Sequence, residues 1–145
     1  MSIFSISIPV VYANLCLLLV RLTVGLFMLV AHGLPKLNRL TSGEAIKFSD
    51  PFGLGPDVSL GMAVFAEVLC SFLIIIGLAT RLASIPLLAT MTVAVTYAHA
   101  SDPFSTKEKP LVFILVFLML LVFGSGRYSI DGLISAPKKI KSEFE

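Results

Sequence analysis

Apolar runs at about 10–34, 58–79, 82–100 and 109–125 decide the solvent in which this 145-residue chain folds. At about 1.5 Å per residue, each approaches or exceeds the roughly 30 Å of hydrocarbon in a bilayer. Composition agrees: 57% of residues are hydrophobic, 14% are charged and the mean hydropathy is +0.96, which excludes an ordinary soluble domain. The bilayer core offers no water to backbone N–H and C=O groups, so runs this apolar must be helical. Weak period-2 alternation argues against a barrel. The expected fold is therefore all-α: an integral membrane, antiparallel four-helix bundle. It forms a single transmembrane domain over 1–145, with a long loop at 38–57 and a basic C-terminal tail at 132–145.

Charges inside two of these runs ask for compensation. Arg21 lies in the middle of the first and Glu67 in the second. A charged residue at a helix centre costs about 2.5 to 3.5 kcal/mol on insertion scales, so the two are expected to face each other inside the bundle. Antiparallel threading supports this. Arg21 is eleven residues before His32 and Glu67 nine after Val58, depths that agree to about one turn from the long-loop side.

No basic residue precedes the first run and no small-x-small cleavage site stands out, so it is read as a permanent helix rather than a secretory signal. Four crossings put both termini on one side. Arg81, Arg127, Lys138, Lys139 and Lys141 then balance Lys36, Arg39, Lys47, Lys107 and Lys109 across the membrane, so basic residues do not set the orientation. The Lys138, Lys139 and Lys141 cluster suits an anionic inner leaflet and favours cytoplasmic termini in a multi-pass bacterial inner-membrane protein.

Between the runs, Gly33 and Pro35 are expected to end the first helix. In the long loop, Ser42 to Phe48 has the composition of a short interfacial helix and Asp50 to Pro56 that of turns. Together they read as a lid over one mouth of the bundle. Gly77 to Arg81 makes a tight hairpin, with Pro86 in the first turns of the third span, and Gly124 to Asp131 closes the membrane region.

Helical spacing collects polar residues into stripes. Arg21, Gly25, Met28 and His32 share one face of the first helix, Ala63, Glu67 and Ser71 one of the second, and Thr92, Thr96 and His99 one of the third. These stripes are expected to face inward and to make a buried polar pocket of Arg21, Glu67, His32, His99, Thr96 and Ser71, a ligand site or proton relay, with Lys36, Asp102 and Glu108 in a second tier. A plainer account stands beside each. Arg21 and Glu67 would also serve as a structural pair that sets register, and the Thr hydroxyls as groups bonded back to their own helix. Phe113 and Phe117 share a face that suits core packing or the flanks of a flat ring. Two histidines without local ligand spacing do not make a metal or haem site, and Cys16 and Cys70 read as small packing residues.

The punctuating segments carry a family resemblance. Arg21-Leu22 with Gly25, His32 to Leu37, Glu67, Gly77 to Arg81, Glu108, and Gly124 to Asp131 occur in an order and spacing that resembles the DoxX family of small four-helix membrane proteins, related to the membrane subunit of thiosulfate:quinone oxidoreductase. The resemblance implies membrane redox chemistry or support for it, with a soluble or membrane oxidoreductase as partner. No flavin, haem or iron-sulfur motif is present, so a bound quinone or a partner subunit would supply the redox centre. In that reading Arg21 offers positive charge to a quinone carbonyl, Glu67 holds Arg21 or relays a proton, and His32 and His99 exchange protons at the pocket mouth. The rival is a noncatalytic scaffold or small-solute carrier, for which a homodimer would supply eight helices. Membrane lipids are partners in either case. Nothing points to nucleic acid.

Overall fold

The computed structural model describes residues 8–135, and all regular structure among them is helical. The elements are α1 (Val10–Thr41), α2 (Pro56–Ile76), α3 (Thr80–Ala98), α4 (Phe104–Phe123) and a short α5 (Ile130–Ile134). By length and composition, α1, α2 and α3 can each cross a membrane. α4 is 20 residues long, but Lys107, Glu108 and Lys109 occupy its first turns, before the apolar stretch begins. The tail residues Lys138, Lys139 and Lys141 lie outside the described residues.

α1 does not end at Gly33 and Pro35 as expected. It continues to Thr41 because a π-helical turn, Leu29–Gly33, precedes the proline. A wide turn shifts the ladder to i−5, and that displacement accommodates a residue that lacks an N–H and whose ring crowds the preceding turn. Gly33 itself keeps right-handed helical geometry. α2 and α3 carry π turns of their own at Phe65–Cys70 and Ala94–Ala98. The expected interfacial helix at Ser42 to Phe48 is absent; α1 stops at Thr41 with Ser42 as its cap, and the chain beyond runs irregularly to α2. With Gly43 and Ser49 nearby and few repeating apolar positions, that stretch has no face to bury.

The first half of α1 packs on the last turns of α2, and the end of α1 on the start of α2, so the two run antiparallel. α3 makes its broadest contact with α4 and also meets the π turn of α2. One core runs through all four, from Met28 on α1 through Ile74 on α2 and Leu87 on α3 to Phe117 and Leu120 on α4, each wholly buried. Outside it the helices stay apolar, with residues such as Leu19, Phe27, Leu82, Leu115 and Phe123 more than 60% exposed. A helix apolar on every side is one whose surroundings are also apolar.

Candidate functional site

Arg21 and Glu67 do not face each other. Gly33 governs the first departure: a β-carbon there would sit 2.6 Å from the Glu67 carbonyl oxygen, so the π turns of α1 and α2 touch backbone to backbone. That closeness, with the rotation each wide turn adds, swings Lys36 over Glu67. The Lys36 ammonium donates to both carboxylate oxygens, at 2.6 Å to Oε2, and the Glu67 side chain is wholly buried while that of Lys36 is 27% exposed. The antiparallel depth estimate failed because α1 is longer than its apolar run and Lys36, placed in the second tier, is still inside it.

Arg21 goes to the other end of α2. Its Nη1 donates to the carbonyls of Ile74 at 3.2 Å and Ile75 at 3.4 Å, and Nη2 to the Tyr128 carbonyl at 2.5 Å. The last carbonyls of a helix have no partner in their own ladder and carry the negative end of its dipole, so they answer a buried guanidinium well. The arrangement needs Gly77, at φ +70°, where any β-carbon would overlap Arg21 Nη1 and Ser129. Arg21 is therefore a clasp between α1, the α2–α3 turn and the segment after α4.

Asp131, expected only as the end of the segment that closes the membrane region, completes the clasp. Ala79 is the one non-glycine residue with positive φ, at 48°, among those described. Asp131 fastens it by accepting the Ala79 and Thr80 amides at 2.8 and 3.1 Å, while its own amide donates to the Gly77 carbonyl. Partial burial opposes ionisation of Asp131, yet these amide bonds outweigh it and hold the carboxyl below its ordinary value.

The expected pocket residues thus divide between the two ends. On the long-loop side, a groove of about 870 Å³ opens between α2 and α3. Lys36, Glu67 and His99 are among its lining residues, with Phe48 and Phe52 from the long loop and Met62, Phe65 and Val93 from the helices. Of the long loop, expected to act as a lid over a mouth of the bundle, Phe48, Ser49, Pro51 and Phe52 line this groove. Asp50 organises the loop, accepting from the Leu54 and Gly55 amides and the Ser59 hydroxyl, and these bonds hold the Asp50 carboxyl below its ordinary value. The Lys36 ammonium stands 5.9 Å from the centre of the Phe48 ring.

Several residues fall outside this groove. His32 is turned to α4, its ring edge-on to Phe113 at 5.6 Å. Thr96 is exposed and its hydroxyl donates back to the Thr92 carbonyl, and Thr92, one turn earlier and ahead of the π turn, is exposed and bonded back to Leu88 in the same way, so the third stripe is not inward. Ser71 is buried one turn beyond Glu67, its hydroxyl without a partner among the described residues. His99 Nδ1 lies 2.7 Å from Asp102 Oδ2, and Glu108 is exposed on α4. Phe113 and Phe117 stack on each other, with Phe117 in the core rather than beside the groove. Cys70 is buried, but Cys16 is exposed and not an interior packing residue.

The DoxX family model matches residues 16–100, which include α1 from Cys16 onward, the whole long loop, α2 and α3. An uncharacterized protein of Haemophilus influenzae is 31% identical over 101 residues, 66% of this chain and 67% of that one. No solved structure matches.

Proposed function

Because the chain belongs to the DoxX family of membrane proteins, we propose that it is the membrane component of an oxidoreductase system and holds a quinone in the groove between α2 and α3. In this reading α1 to α4 form an antiparallel four-helix bundle in a bacterial inner membrane, with the long loop on one side and both termini on the other. The observation that carries it is the groove: a mostly apolar cavity of about 870 Å³ whose lining holds three phenylalanines and the Lys36–Glu67 ion pair.

The residues fit such a ring. Phe48, Phe52 and Phe65 offer flat apolar surface, and Lys36 offers the one ammonium proton beyond the two given to Glu67. A bound quinone would supply two-electron chemistry, with the electrons delivered by a partner enzyme. Lys36, rather than Arg21, is the cation placed to bind a ring carbonyl. Glu67 holds Lys36 in position and keeps the pair neutral overall, which suits an uncharged ligand. His99, paired with Asp102, is placed to pass protons between groove and solvent.

Lipid extraction of the detergent-purified protein tests the proposal. Wild type is expected to retain near-stoichiometric quinone, and Lys36→Met to lose about tenfold or more in affinity, since a hydrogen bond to a charged group contributes about 1.5 to 3 kcal/mol. Full quinone occupancy in Lys36→Met, or none in wild type reconstituted with excess quinone, would sink it.

A further inference from the structure

The end of the molecule away from the groove carries a second cavity of about 800 Å³, which the proposed function does not use. Its lining residues include two cations, Arg81 and Arg127, both exposed. Arg81 lies over Gly124, where a β-carbon would be 3.3 Å from Nε, and its Nη2 donates to the Val122 carbonyl at 3.1 Å. The guanidinium is thereby pinned at the C-terminal end of α4. The side chain of Arg127 has no hydrogen-bond partner among the described residues, although its backbone amide is anchored by Asn14 at 2.7 Å. The one acid among the described residues of the lining, Asp131, has its two oxygens on the Ala79 and Thr80 amides.

Leu82 and Phe123 flank the arginines, 69% and 66% exposed. Leu82 is the third residue of α3 and Phe123 the last of α4, so both stand at helix ends on this side of the molecule. We propose that this cleft binds an anionic phospholipid, with its phosphate on Arg81 and Arg127 and its chain along Leu82 and Phe123. Guanidinium groups offer paired donors to phosphate oxygens, and the excess positive charge selects against a zwitterionic headgroup. A small soluble anion would use the arginines and leave the apolar flank unused.

Native mass spectrometry of the full chain in detergent, titrated with phosphatidylglycerol or phosphatidylcholine, tests this site. The wild type is expected to prefer phosphatidylglycerol, and Arg81→Gln and Arg127→Gln each to weaken that lipid about fivefold, the effect of one juxtamembrane cation. Arg39→Gln, at the opposite end, is expected to leave the preference unchanged. If Arg81→Gln does not fold, Arg127→Gln alone decides. A wild-type preference in the arginine variants would overturn the proposal. So would loss confined to Lys138, Lys139 and Lys141 changed to Gln, or displacement of the lipid by equimolar inorganic phosphate.

Discussion

Lys36 and Arg21 are both cations in the longest apolar helix, but they are answered by different chemistry. Lys36 meets a full opposite charge and Arg21 meets carbonyls, so the two sites respond differently to substitution. Lys36→Met strands a buried carboxylate and is expected to cost about 3 to 5 kcal/mol, while Lys36→Met with Glu67→Leu removes both charges and should recover most of that loss. Thermal unfolding in detergent reads the difference, and equal melting of the single and double variants would refute it. Asp131 predicts a pH dependence. Its folded value lies below the ordinary one of about 3.9, so ionised Asp131 adds stability that is whole above that value and is lost as pH falls through the lower folded one. Asp131→Asn is expected to melt earlier than wild type at pH 6, with the gap narrowing at pH 3; a gap independent of pH would contradict this. The charge of Arg21 and Glu67 was plain in the sequence. Their partners were not, because a partner is decided by rotation about a helix axis, and one π turn changes it.

At the scale of elements, the wide turns in α1, α2 and α3 all lie in the half of the molecule that holds the groove. Each extra residue rotates the remainder of its helix by roughly 100° relative to a regular one. Four helices were legible from apolar runs alone, yet α1 proved longer by about two turns and α4 began earlier, since charged first and last turns do not register as apolar. The contact between the π turns of α1 and α2 depends on Gly33, and that between α1 and the end of α2 on Gly25. At Gly33 a methyl group meets fixed backbone at 2.6 Å, whereas at Gly25 its nearest neighbour, also at 2.6 Å, is the movable Ile75 side chain. Gly33→Ala is therefore expected to destabilise by about 1 to 3 kcal/mol and Gly25→Ala by less. Melting curves of the two variants rank them; the reverse order would mean that α1 and α2 can part at the π turns without cost.

For the whole molecule, the proposed bundle predicts sidedness. In a background without Cys16, a cysteine at Gly53 or Ser101 should react with an impermeant maleimide from one side of a sealed vesicle, and one at Ser135 from the other. Labelling of all three from one side would exclude four crossings. Polar residues expected to gather in one half instead hold two ends: an ion pair beside a groove under the long loop, and a guanidinium clasp closed by the chain after α4. The clasp joins residues up to 107 positions apart, a separation at which hydropathy and helical period carry no information.

Hydropathy by itself determined the membrane setting and the helical class, because a backbone without water has few ways to satisfy its hydrogen bonds. The ordered segments around those helices likewise sufficed to suggest the family. Only the tertiary structure decided which charge answers which, that the first helix runs through its proline, and where the groove opens. Those outcomes rest on close backbone approach at Gly33 and on the rotation introduced by π turns, both of which arise from helices packed against one another and have no signature in any single segment.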